Sequence, residues 1–133
     1  MPSPLDLYRQ VEKETLTGRD LEASVLLKAA QKLFEARHRL ASEKDVSALD
    51  EALRYNQRIW TLFQSELGEP TNPLPQPIKE NLLALIGFID RRTFALMSDP
   101  SPARIDVLIE INRNIASGLQ ARSGPVLAQE TSG

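Results

Sequence analysis

The side chains in this sequence that could do chemistry are few and poorly grouped. His38 is the only histidine and stands in Glu35-Ala36-Arg37-His38-Arg39. Glu35 is its one local carboxylate at helical spacing, and a metal would need further ligands, so a solvated helix position is the plainer reading. The chain has no cysteine, which excludes thiolate catalysis, disulfides and cysteine-ligated zinc or iron–sulfur sites. The serines fall in caps or turns without a base beside them, so no nucleophile–base pair can be assembled. Paired carboxylates such as Asp50-Glu51 read as exposed helix charges, and the glycines never form a phosphate-cradling loop. Enzymatic chemistry is not supported, and no cofactor or metal is required.

Polarity of a different kind lies in two asparagines. Leu49, Leu53, Asn56, Trp60, Phe63 and Leu67 follow 4-3-4-3-4 spacing, which places them on one helix face. Ile105, Leu108, Asn112, Ile115 and Leu119 repeat such a stripe near the other end of the chain. A carboxamide inside a core stripe costs free energy unless it finds a hydrogen-bond partner. The structural reading is that Asn56 and Asn112 bond each other or a facing backbone group and fix the helix register. The functional alternative makes them a polar notch in a partner-binding groove. Trp60 and Phe63, one turn apart in a chain with few aromatics, are expected to anchor the core.

The elements that carry these residues follow from periodicity and punctuation. The chain has 133 residues, 41% of them apolar and 26% charged, as suits one globular domain. Ser3-Pro4 opens a short helix lined by Leu5, Tyr8, Val11 and Leu16 that stops before Gly18. Thr17-Gly18-Arg19-Asp20 fits a capping box for a long helix with Leu26, Ala30, Leu33 and Leu40 inward, Leu27 and Phe34 widening the stripe, and an end near Ala41-Ser42. Residues 42–45 supply turn and cap chemistry for a helix over about 46–67, closed by Gly68 and Pro70. Four prolines then fall within residues 68–77, so that stretch connects helices, either as a rigid spacer or by presenting Leu74 as an apolar knob. Pro77 can open a third helix over about 78–97, apolar around more than half its circumference. Gly87 in its middle costs roughly 1 kcal/mol against alanine unless a close helix approach uses the missing side chain. Ser101-Pro102 starts a last helix ending near Gly118. The prediction is an all-α antiparallel bundle of four main helices plus the short N-terminal one, over residues 1–119, with a flexible C-terminal tail over 120–133.

Formal net charge is −2, which argues against direct contact with nucleic acid or an anionic membrane. Arg37, Arg39, Arg54, Arg58, Arg91 and Arg92 could form a local basic strip, although pairing with Glu35, Glu43 and Asp90 on a solvated face is the plainer reading. The first residues lack the basic and apolar regions of a signal peptide, and the longest apolar run, residues 82–89, is too short to span a bilayer. A soluble cytoplasmic protein is expected.

Three segments together resemble the bacterial flagellar biosynthesis regulator FlaF: Asn56-Gln57-Arg58-Ile59-Trp60-Thr61-Leu62-Phe63, then Asn72-Pro73-Leu74-Pro75 followed by Asn81-Leu82, and Ile109-Glu110-Ile111-Asn112-Arg113-Asn114-Ile115-Ala116-Ser117-Gly118-Leu119. Arg19-Asp20-Leu21-Glu22-Ala23-Ser24-Val25-Leu26-Leu27 also looks like the family's first long helix, and Ile59 departs from a more usual leucine. The resemblance spans about residues 5–119. It implies a cytoplasmic, non-enzymatic helper of flagellar assembly that binds flagellin in the manner of a type III secretion chaperone, beside an FlbT-type regulator of flagellin translation. The alternatives are an adaptor that holds that regulator, or a protein acting on flagellin message, without contact to flagellin. The amphipathic terminal helices of flagellin would suit a helix-in-groove mode. From hydrophobic excess, the candidate partner-binding residues are Leu82, Leu83, Ile86, Phe88 and Ile89, extended by Leu74 and Met97.

Overall fold

The computed structural model describes residues 18–123. Four helices fill that span: α1 at Gly18–Glu43, α2 at Ser47–Leu67, α3 at Gln76–Ser98 and α4 at Pro102–Ser123. The expected opening helix and residues 124–133 lie outside the described residues. Each turn is closed by local chemistry. After α1, Lys44 adopts a left-handed φ of 54° and its amide donates to the Leu40 carbonyl at 3.1 Å. Asp45 then accepts from the Ser47 amide at 2.9 Å and the Ser47 hydroxyl at 2.6 Å, which fixes the first turn of α2. Those bonds, the hydroxyl's first, hold the Asp45 carboxyl below its usual range. Gly68 closes α2 with a right-handed φ of −79°, so this glycine is not required for a left-handed cap.

The helices alternate in direction and neighbour one another in chain order around the bundle, with α4 returning to α1. Arg37 late in α1 pairs with Asp106 early in α4, at 2.6 Å from Nε and 3.1 Å from Nη2. The α1–α4 contact is the most extensive, and α3 is held by the least. Side-chain size accounts for this. Ala23, Ala29, Ala30 and Ala36 are buried on α1 and Ala116 on α4, and small residues let helix axes approach. Leu26, Leu33, Leu49, Leu53, Trp60, Ile105 and Leu108 fill the space between.

Two expectations change, and a third is decided between its two alternatives. Leu27 and Phe34 do not widen the buried stripe of α1, since both are exposed. The alanines narrow the contact, and Arg113 covers the Phe34 ring from α4 with its guanidinium 5.8 Å from the centroid. The last helix runs through Gly118 to Ser123, past the end expected from the glycine, because helical hydrogen bonding continues there. Gly87 serves no helix contact: a Cβ added to it would meet only the Arg91 side chain at 3.5 Å.

Candidate functional site

Asn56 and Asn112 are both buried and bonded to each other, with the Asn112 amide donating to the Asn56 oxygen at 2.7 Å. The direction of that bond is set by a third residue. The Trp60 indole can only donate, and it gives its N–H to the Asn112 oxygen at 2.9 Å. Asn112 must therefore turn its amide nitrogen toward Asn56. The amide nitrogen of Asn56 ends the chain, buried and without a hydrogen-bond partner. Trp60 is further fixed by Phe63, whose ring stands edge-on at 88° with centroids 5.4 Å apart.

The clamped indole forms a wall of an open groove of about 410 Å³ at one end of the bundle. The start of α1, the end of α2, the connector, the start of α3 and the end of α4 converge there. Trp60, Phe63 and Leu67 come from α2, Ile78, Leu82 and Ile86 from α3, and Ile115, Gly118 and Leu119 from α4. Asn72 positions the connector. Its amide donates to the Glu66 carbonyl at 3.1 Å and its oxygen accepts from the Leu74 amide at 3.0 Å. That bend turns Leu74 inward as groove wall, half-buried against the core, so it is not an outward knob. Arg19, Glu22, Glu66, Asn72 and Asn114 bring polar groups to the lining. Burial, then the charge of Glu66, raises the pKa of Glu22, and Arg19 offsets this in part.

A family model described as flagellar protein FlaF matches residues 5–119. The chain belongs to the FlaF family. Neither a curated protein nor a solved structure matches it. The FlaF-family match covers every groove-lining residue, so the groove is built within the shared domain. The membership makes this a flagellar-associated protein.

The residues singled out from sequence on this FlaF-family chain separate into three environments. Leu74, Leu82 and Ile86 line the groove. Ile89 is fully buried in the core, so it is not available as a partner contact, and Ile86 is reachable only from the groove side. Leu83 and Met97 lie exposed, away from the groove lining. Phe88 is half-buried with the Arg92 guanidinium 5.0 Å from its ring centroid.

The arginines do not make one basic strip, and their expected carboxylate partners change. Arg37 pairs with Asp106 and Arg54 with Asp50, while Arg58 lies over Tyr55. His38 is exposed, and no group of three or more potential metal ligands occurs among the described residues. No helix among them is long and apolar enough to cross a membrane.

Sequence reasoning missed Thr93, buried on α3 with its hydroxyl donating to the Ile89 carbonyl at 2.7 Å. The 3-4-3 spacing of Ile86, Ile89, Thr93 and Leu96 was a signal for it. It also missed Phe94, the most exposed large apolar side chain among the described residues at 65%, and the polar lining residues Glu22 and Glu66.

Proposed function

We propose that this FlaF-family protein is a non-enzymatic cytoplasmic regulator of flagellar biogenesis that binds flagellin as a secretion chaperone. In this reading an amphipathic terminal helix of flagellin lies in the end groove. The protein promotes flagellin synthesis and secretion together with an FlbT-type translational regulator. The observation that carries the reading is the apolar groove itself, walled by residues from three helices and the connector. A helix-in-groove contact needs such a cleft, with anchors spaced to meet one face of the incoming helix. The FlaF membership supplies the flagellar context.

Size-exclusion chromatography with light scattering, on the protein alone and mixed with flagellin from the same cell, tests this. The expected result is a stoichiometric 1:1 complex. An unchanged elution with flagellin would overturn direct capture. A second reading, an adaptor for the partner regulator, is favoured by Leu83, Phe94 and Met97, which leave apolar surface on α3 outside the groove. A complex formed with the regulator but not with flagellin would select it.

A further inference from the structure

The groove breaks two electrostatic rules at its lining. Glu22 is half-buried, yet it makes no ion pair with Arg19 or any other cation among the described residues. A carboxylate partly removed from water with no opposite charge in contact is unfavourable to folding. Glu66 stands in the last turn of α2, where no basic residue is present. The end of a helix carries partial negative charge, so an acidic side chain there is also misplaced. Both residues line the same groove, and the charge of Glu66 adds to the cost of an ionised Glu22. Local violations of this kind, gathered at one cleft, are where a ligand supplies what the fold lacks.

We propose that the groove selects an amphipathic helix whose apolar face is bordered by a lysine or arginine, the cation seating between Glu22 and Glu66. This rests on the helix-binding reading of the groove and specifies its partner by charge. The apolar wall provides attraction without discrimination, because any greasy helix face would satisfy Phe63 or Leu82. The two carboxylates provide the discrimination: they attract a flanking cation and repel a flanking glutamate. Arg19 opposes this only in part, since it contacts neither carboxylate within ion-pairing distance.

The chain has a single tryptophan, and Trp60 lines the groove, so its fluorescence reports occupancy of the full-length protein. The test titrates two synthetic helical peptides with the same apolar face, one flanked by lysines and the other by glutamates. The lysine peptide is expected to bind roughly tenfold more tightly at low salt, with the margin shrinking as salt rises. Glu22→Gln/Glu66→Gln, its helicity confirmed by circular dichroism, should bind the two peptides alike. Equal affinities in the unaltered protein, preference for the glutamate peptide, or no binding of either would overturn the inference. So would a Trp60 signal that changes on dilution without peptide, which assigns the groove to a second copy of the chain. A protein that prefers the lysine peptide but ignores flagellin would sink the flagellin reading and leave this one standing.

Discussion

Trp60 on α2 and Asn112 on α4, 52 residues apart in sequence, are joined by a 2.9 Å bond from the indole N–H to the carboxamide oxygen. These helices are not neighbours around the bundle, so the bond crosses its interior. It fixes the rotation of α2 against α4 and, through Trp60, the shape of the groove wall. A leucine in place of Asn112 could fill the volume but could not orient the indole.

The polarity of the network makes its two asparagines unequal. Asn112→Leu strands the Trp60 N–H and the Asn56 oxygen together, an expected loss of roughly 2–5 kcal/mol. Asn56→Leu leaves one Asn112 donor unpaired but also removes the Asn56 amide nitrogen that already lacks a partner, so about 1 kcal/mol or less is expected. Urea unfolding followed by far-UV circular dichroism measures both. Equal losses would contradict the bond directions described above.

The inward placement of both asparagines was legible in the stripe spacing. Their bond to each other, rather than to a facing backbone group, was not, because spacing within one helix does not name the residue opposite. The four helices were legible in their spacing too, with ends set by Asp45, Pro77 and Pro102. The groove was not, because it exists only where four helix ends and the connector converge, and no segment records that convergence. The third helix shows the limit well. Its apolar excess singled out five residues alike, yet Leu82 and Ile86 line the groove, Phe88 is half-buried, Ile89 is core and Leu83, with Met97 beyond, is outer surface. Periodicity gives an angle around a helix, while the neighbours at that angle are decided by the other three helices. The end of α4 was misplaced because Gly118 lowers helix propensity by an amount that surrounding hydrogen bonds outweigh.

Gly87→Ala should raise stability by about 1 kcal/mol. The added methyl meets only a flexible arginine end at 3.5 Å, and alanine loses less backbone entropy on folding. A thermal melt checks this. A fall in the melting temperature would mean that another helix needs the glycine.

Glu22 gives the protein a pH dependence whose sign is fixed. Its folded pKa is raised above 4.5, first by burial and then by Glu66. The folded state therefore holds the proton more tightly than the unfolded chain does, and stability falls as pH rises from the unfolded pKa through the folded one. Glu22→Gln should remove that fall and be the more stable protein at neutral pH. Melts of both proteins from acidic to neutral pH decide it. Parallel curves would show that the carboxylate carries no penalty in the fold.

The groove and the outer stripe of α3 make opposite predictions for two substitutions of the same kind. Ile78 lines the groove but is 41% exposed, and Phe94 lies outside it at 65% exposed. A charge is tolerable for folding at either position, because neither side chain is fully withdrawn from water. If flagellin occupies the groove, Ile78→Asp should weaken its binding by at least about tenfold, the loss of roughly 1.4 kcal/mol or more from one apolar contact with a helix face. Phe94→Asp should leave the affinity unchanged within about twofold, since a surface change remote from a contact contributes within ±0.5 kcal/mol. Calorimetric titration of flagellin into each variant, with helicity compared by circular dichroism, measures both. The reverse pattern would move the binding surface to Leu83, Phe94 and Met97. The groove would then be a structural consequence of four helix ends meeting.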